Sequence, residues 1–283
     1  MIDLVDIRYC RFGTDDLEHA VSFATETAGL ELVGRGPDCA YLRADDRDHN
    51  LCYFKGDPRD HTVAFELTDW RALDEAAAQL TAAGVPFERG TPEGAAARRV
   101  MDYLTLRDPT GNKIDLVTRP FHSGKRFFRA RDVRMTEFSH IGLKTSDPVR
   151  DETFWTTVFN MQAHDWLGPA GLLSFDAVHH RIAPFPAKEP GVQHMNFQVD
   201  ALDDVERSIY VLREKQVKIV FGPGRHPLSG AAFCYFAAPH GMVFEYSYGV
   251  PSLDDDWRAR QFPWEPLSLD MWGGKADIEE LKA

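Results

Sequence analysis

The period of apolar and polar positions changes several times along the chain, and the same succession of changes occurs twice. From Tyr9, "YCRFGTDDLEHAVSF" reads as a short strand, a Thr-Asp helix cap and an amphipathic helix; from His140, "HIGLKTSDPVRDETFW" repeats that order. From Thr62, "TVAFELTDWRALDEAAAQLTAAGVPF" reads as an alternating strand, an acidic turn, a helix and a strand. "HMNFQVDALDDVERSIYVLREKQVKI" from His194 does the same. The third match pairs "YLTLRDPTGNKIDLV" with "FCYFAAPHGMVFEYS", each a hairpin around a Pro-x-Gly turn.

Self-similarity at so long a period indicates duplicated architecture. Each half reads as two βαβ-type units whose strands curl into one open, antiparallel-rich sheet with helices on its outer face, an α+β class. The expected organisation is an N-terminal domain over 1–120, a basic, irregular linker over 121–136, a second domain over 137–250 and an extension over 251–283. Position by position, Tyr9, Thr62 and Asp115 align with His140, His194 and Glu245. The steps are 53 and 53 in the first half against 54 and 51 in the second, and a slip of one residue would put His61 in place of Thr62.

The halves therefore share a scaffold but differ at three central positions, and only the second half has metal-binding residue types there. Two imidazoles and one carboxylate on separate strands suit Fe(II) with open coordination positions. Mn(II) takes the same ligands, and zinc accepts two His and a Glu. A lone histidine on a strand is more often a packed residue than a ligand. What raises these three is their equivalence within one closing repeat, together with Glu245, which between Phe244 and Tyr246 would be costly to bury without a cation.

Further polar groups surround them. Alternation along "GLLSFDAVHHRIAPF" places His179 and His180 on opposite faces of one strand, so that only one points inward. His226 precedes the last hairpin. With a three-residue Pro239-His240-Gly241 turn, Tyr235 falls directly across from Glu245. Ile182, Phe185, Pro186, Trp166 and Phe175 are candidates for an aromatic pocket, with ordinary core packing as the competing reading. The extension carries three tryptophans among acids and prolines, and either wraps the domain interface or a neighbouring subunit or is a solvated extension with a few anchors.

A formal net charge of −12 with scattered Lys and Arg argues against nucleic acid and anionic membranes as partners and favours a small, largely apolar substrate. The four cysteines form no C-x-x-C pair, and the acidic opening lacks the basic stretch of a secretory signal, so the expected location is the cytoplasm with thiols reduced.

In the second half "HIG", "HHRIA", "QHMNFQV", "GRH", "CYF" and "FEYSYG" follow one another in an order and spacing that resemble the type I extradiol ring-cleaving dioxygenases of the vicinal oxygen chelate superfamily. The likeness is to the 2,3-dihydroxybiphenyl dioxygenase branch and spans about residues 5 to 250. It implies two tandem domains, each a pair of βαβββ modules, with metal ligands kept only in the second. It implies His140, His194 and Glu245 as iron ligands and His180 as the catalytic histidine. His226 and Tyr235 would contact a bound catechol, with Phe185 and Phe175 as further substrate contacts. The expected reaction is cleavage of a small aromatic diol by O2 in a cytoplasmic homo-oligomer.

One departure bears on substrate. Pro227-Leu228-Ser229 stands where many members carry Thr-Asn-Asp, which leaves room for a branch acting on carboxylated catechols such as 2,3-dihydroxy-p-cumate. A glyoxalase-like lyase or isomerase would use the same scaffold, but would not need His180, His226 and Tyr235 and would often draw ligands from both halves. A metal-free binding module would have no reason to keep three ligands and three acid-base groups in one half.

Overall fold

The computed structural model describes residues 1–282. The first half has strands β1 (Leu4–Thr14), β2 (Glu31–Arg35), β3 (Cys39–Arg43), β4 (Leu51–Lys55), β5 (His61–Leu67), β6 (Phe87–Arg89), β7 (Asp102–Arg107) and β8 (Lys113–Thr118). The second has β9 (Met135–Thr145), β10 (Gln162–Leu167), β11 (Ala170–Ser174), β12 (Ile182–Pro186), β13 (Gly191–Val199), β14 (Ile219–Arg225), β15 (Ala232–Ala237) and β16 (Val243–Tyr248), and β17 (Arg260–Phe262) follows in the extension. Helices are α1 (Leu17–Ser22), α2 (Trp70–Ala82), α3 (Pro92–Arg98), α4 (Pro148–Val158), α5 (Leu202–Glu214) and α6 (Pro266–Leu269). Among the described residues, no helix is long and apolar enough to cross a membrane.

Each half forms one sheet, in the order β2-β3-β4-β1-β5-β8-β7-β6 and the matching order β10-β11-β12-β9-β13-β16-β15-β14. β17 adds to the β10 edge in parallel. The central pair of each sheet is antiparallel, and each of its strands has a parallel neighbour on its other side. The helices follow from their stripes. α2 buries Leu73, Ala76, Ala77 and Leu80, an i, i+3, i+4, i+7 face, and Asp69 caps it through the Arg71 and Ala72 amides. α5 buries Val205, Ser208, Ile209 and Leu212 in the same way.

The halves are not independent cores. One buried cluster runs from Ile7, Phe65 and Leu116 in the first sheet through Trp155 to Phe138, Phe197, Phe236 and Tyr246 in the second. The Phe65 ring meets the edge of Trp155 in α4 at 5.5 Å, while Phe23, just after α1, packs on Phe236 and Phe244 at 6.4 and 6.1 Å. Each half thus sends its first helical segment against the other's sheet. The linker side is fastened by Arg43, which is fully buried and donates to the Lys125 and Arg126 carbonyls.

Register makes the internal comparison concrete. Thr62 lies opposite Arg11, and His194 opposite Gly142; Ala64 pairs with Asp115, and Asn196 with Glu245. The equivalent of His194 is therefore Thr62, and His61 is one position off, bonded to Asn112. In the first half the site is plugged from within. Asp115 is fully buried and accepts from Arg98 Nε at 2.6 Å, Tyr9 Oη at 3.1 Å and Thr105 Oγ1 at 2.6 Å. The Arg98 guanidinium, over the Tyr103 ring at 4.0 Å, neutralises the carboxylate that would otherwise demand a metal.

Arg98→Ala leaves that buried carboxylate without its cation, and we expect a loss of about 3 kcal/mol, toward the lower end for a broken buried pair because the arginine side chain is 17% exposed. Urea unfolding of the variant against the parent protein measures it.

Candidate metal centre

His140, His194 and Glu245 stand on β9, β13 and β16, three consecutive strands of the second sheet. Their candidate ligand atoms all lie within 4.8 Å of one another, and all three side chains are buried. Glu245 Oε2 is 3.2 Å from His140 Nε2 and 3.4 Å from His194 Nε2. Neither Glu245 Oε2 nor His194 Nε2 has a hydrogen-bond partner among the described residues, an expensive condition for buried polar atoms unless a cation sits between them. The donor set is two imidazole nitrogens and one carboxylate, which fits a divalent transition metal with open positions.

Local structure explains how the donors are aimed. β13 shifts register between Val192 and His194, which brings Gln193 to the side of its neighbour. Gln193 Oε1 meets His194 Nδ1 at very close range, so Nδ1–H donates and the lone pair of Nε2 is left for the metal. Gly142 makes room for that ring. A Cβ there would collide with His194 Nδ1 and stand 2.7 Å from its Cε1 and 2.8 Å from Gln193 Oε1.

The acid-base candidates form one wall. β15 and β16 pair with Tyr235 directly across from Glu245. Tyr235 Oη lies 3.1 Å from His226 Nε2, and His226 Nδ1 lies 2.7 Å from the Leu269 carbonyl of α6. The carbonyl fixes the proton on Nδ1, so Nε2 accepts from the tyrosine. The His180 ring is 4.1 Å from that of His140. A narrow cavity lies against these groups, lined by His180, His194, His226, Tyr235, Ser229 and Ser268 together with apolar residues.

Three expectations change. His179 and His180 do not divide between two faces. They precede β12 in an irregular segment where strand alternation has no hold, and both are buried, with their Nδ1 atoms 3.0 Å apart. That segment is held by Arg181, which bonds Asp176, Glu137 and the Ser139 carbonyl. Phe175 does not line the cavity; its ring packs edge-on to Phe65 of the first half at 6.2 Å, because it points into the seam between the sheets. Trp166 likewise faces away, donating to Glu152. Phe185 does line the cavity, 6.1 Å from the His194 ring. The extension wraps its own half: Ser268, Leu269 and Leu281 close the cavity.

Electrostatics keep the donors ready. Burial pushes His194 down to about 3, against the opposing pull of Glu245, and burial also holds His140 below its ordinary value. His180 sits well below, first through burial and then through the neighbouring imidazoles. Burial alone would raise Glu245, but the surrounding imidazoles of His140, His226 and His194 hold it far below the usual carboxylate range. Neutral imidazoles facing an ionised carboxylate are what a metal requires.

The family model for the Glyoxalase/Bleomycin resistance protein/Dioxygenase superfamily matches residues 6–116 and 137–246. An iron-dependent extradiol dioxygenase of Rhodococcus jostii (strain RHA1) is 27% identical, covering 94% of this chain and 95% of that protein. Among solved structures, a halotolerant catechol dioxygenase superposes with a TM-score of 0.89 at 22% identity over 99% of this chain and 97% of that one. A Mn(II)-bound glyoxalase from Novosphingobium aromaticivorans superposes with a TM-score of 0.86 at 26% identity, covering 99% and 94%.

Gly142→Ala should weaken metal binding about 10- to 100-fold by displacing the His194 ring, read by anaerobic Fe(II) titration of folded protein. The metal-free protein should also lose stability on acidification. Below pH ~6.5 the unfolded chain takes up protons on imidazoles that the native state keeps neutral, and Glu245 adds to the loss below its ordinary value. The urea midpoint should therefore fall between pH 7 and 5, and less steeply in His194→Gln.

Proposed function

The chain belongs to the Glyoxalase/Bleomycin resistance protein/Dioxygenase superfamily, and we propose that its second half cleaves a catechol-type aromatic diol by the extradiol route, incorporating both atoms of O2, with Fe(II) held by His140, His194 and Glu245. Mn(II) is served by the same three donors. What supports this reading is a buried cluster of two imidazoles and a carboxylate, in which His194 Nε2 and Glu245 Oε2 have no hydrogen-bond partner among the described residues, beside a cavity lined by His194, His180, His226 and Tyr235.

When bound, the metal supplies a Lewis acid with adjacent open positions at which diol and dioxygen meet and exchange electrons. The protein handles protons and placement. Tyr235 and His226 are the contacts for the diol oxygens. With its Nδ1 proton committed to Leu269, His226 offers Nε2, through the tyrosine hydroxyl, to a proton leaving the diol. Burial and the Glu245 charge hold the Tyr235 hydroxyl well above its ordinary value, so it stays a donor. His180, neutral at rest, is placed to take the second proton on one side of the ring and to return it later in the reaction.

The opposite wall selects substrate. Leu167, Leu172, Phe185, Leu228, Leu269 and Leu281 line the cavity, with no Lys or Arg among its lining residues. A carboxylate substituent would find no counter-charge there, which favours a 3-alkyl- or 3-aryl-substituted catechol over a carboxylated one. A lyase or isomerase would leave the His180, His226 and Tyr235 wall without a task.

O2 uptake by the Fe(II)-reconstituted protein should accompany a yellow ring-opened product with 3-methylcatechol or 2,3-dihydroxybiphenyl, and be much weaker with a carboxylated catechol. His194→Ala should lose metal and activity together. His180→Ala should retain iron and lose about 100- to 10,000-fold in rate. No uptake with any diol would overturn the reading.

A further inference from the structure

Behind His180, away from the cavity, a row of polar groups runs to the surface that neither metal binding nor substrate placement uses. Asp165 on β10 is fully buried. Its Oδ1 accepts from the Arg260 backbone N–H at 2.7 Å and from Arg260 Nε at 3.2 Å, and its Oδ2 accepts from Arg260 Nη2 at 2.6 Å. The same Oδ2 is 3.0 Å from His179 Nε2, and His179 Nδ1 is 3.0 Å from His180 Nδ1. Trp257 closes the row from outside, edge-on to His179 at 5.7 Å and beneath the Arg260 guanidinium at 4.5 Å.

We propose that Asp165 and His179 are positioning residues that fix the tautomer of His180, with Arg260 of the C-terminal extension holding the aspartate in place. An aspartate bridged by an arginine is a carboxylate and only accepts, so His179 Nε2 must carry a proton. The Asp165 charge is already paired with the Arg260 guanidinium, and a second cation on the fully buried His179 ring would go unpaired, so this ring is neutral and its Nδ1 is a lone pair. Two facing nitrogens need one hydrogen between them. His180 therefore carries its proton on Nδ1, and the nitrogen left free on this cavity-lining ring is Nε2. The arrangement gives His180 a ready lone pair for the diol, and lets the buried Asp165 carboxylate stabilise the cation formed later across the hydrogen-bonded His179. It is the tautomer logic by which a buried aspartate supports a catalytic histidine in hydrolytic triads.

The inference rests on the proposed function for its catalytic meaning, but the tautomer itself is readable without turnover, so the two fail separately. The test is two-bond 15N correlation NMR of histidine rings in the metal-free full-length chain, with rates measured on the Fe(II)-reconstituted protein. In the parent, His180 should be protonated on Nδ1 and His179 on Nε2. Asp165→Asn keeps its oxygen toward the two Arg260 donors on Oδ1 and turns its NH2 toward His179, giving up the Arg260 Nη2 bond while Nη2 keeps the Leu228 carbonyl. Both rings should then reverse, and kcat should fall about 100- to 10,000-fold with iron content and KM little changed. His179→Gln preserves one donor and one acceptor. It should keep the His180 Nδ1 proton and hold kcat to within about tenfold, whereas His179→Leu should not. A parent protein with the His180 proton on Nε2, or an Asp165→Asn protein whose folded rings stay unreversed, would overturn the assignment.

Discussion

The structure depends most on one buried carboxylate. Glu245 is 1% exposed and its Oε2 has no hydrogen-bond donor, facing instead the Nε2 atoms of two neutral imidazoles. An isolated charge in that position costs several kcal/mol, and only a cation offsets it. The first half solves the same problem differently. Asp115, at the equivalent register position, has Arg98 from α3 laid against it, so the chain supplies its own permanent cation and no room is left for another. One scaffold thus shows both answers to a carboxylate in its cup: an internal guanidinium or an exchangeable metal.

Neutral donors and an ionised carboxylate are also what make the cavity chemically asymmetric. The metal donors are groups whose ordinary titration is suppressed by burial, while the rest of the adjoining cavity is lined largely by leucine and phenylalanine. Desolvation therefore acts twice, keeping the imidazoles unprotonated and denying a counter-charge to an anionic ring substituent.

The repeat and the family were legible in the sequence because they rest on periodicity, turn length and residue type. The three-residue Pro239–Gly241 turn within the β15–β16 connection fixes Tyr235 across from Glu245, and the 53- and 54-residue steps mark the equivalence of Thr62 with His194. What was not legible depends on breaks in regular backbone. Alternation failed at His179 because residues 175–181 form no continuous strand and Arg181 clamps them from the side. Gln193 was invisible because a register shift brings neighbouring side chains together. Phe175 was misplaced because the seam between the halves, which no local pattern encodes, takes it. Asp165 and Arg260 are 95 residues apart and meet only through the added strand β17.

That strand shows how the second half differs from the first beyond its ligands. By register, His49 occupies the first-half place of His180, yet its Nδ1 meets the adjacent Asp48 directly, and its ring is stacked on Tyr9. In the second half a histidine intervenes, and the supporting carboxylate comes from β10 with an arginine from outside the repeat. The extension also supplies the Leu269 carbonyl that sets the proton on His226. The extension thus touches both flanking imidazoles, His226 directly through Leu269 and His180 through the Arg260 contact with Asp165. The duplicated scaffold supplies three central positions for donors; the segment added after the repeat supports the groups that orient the two flanking histidines.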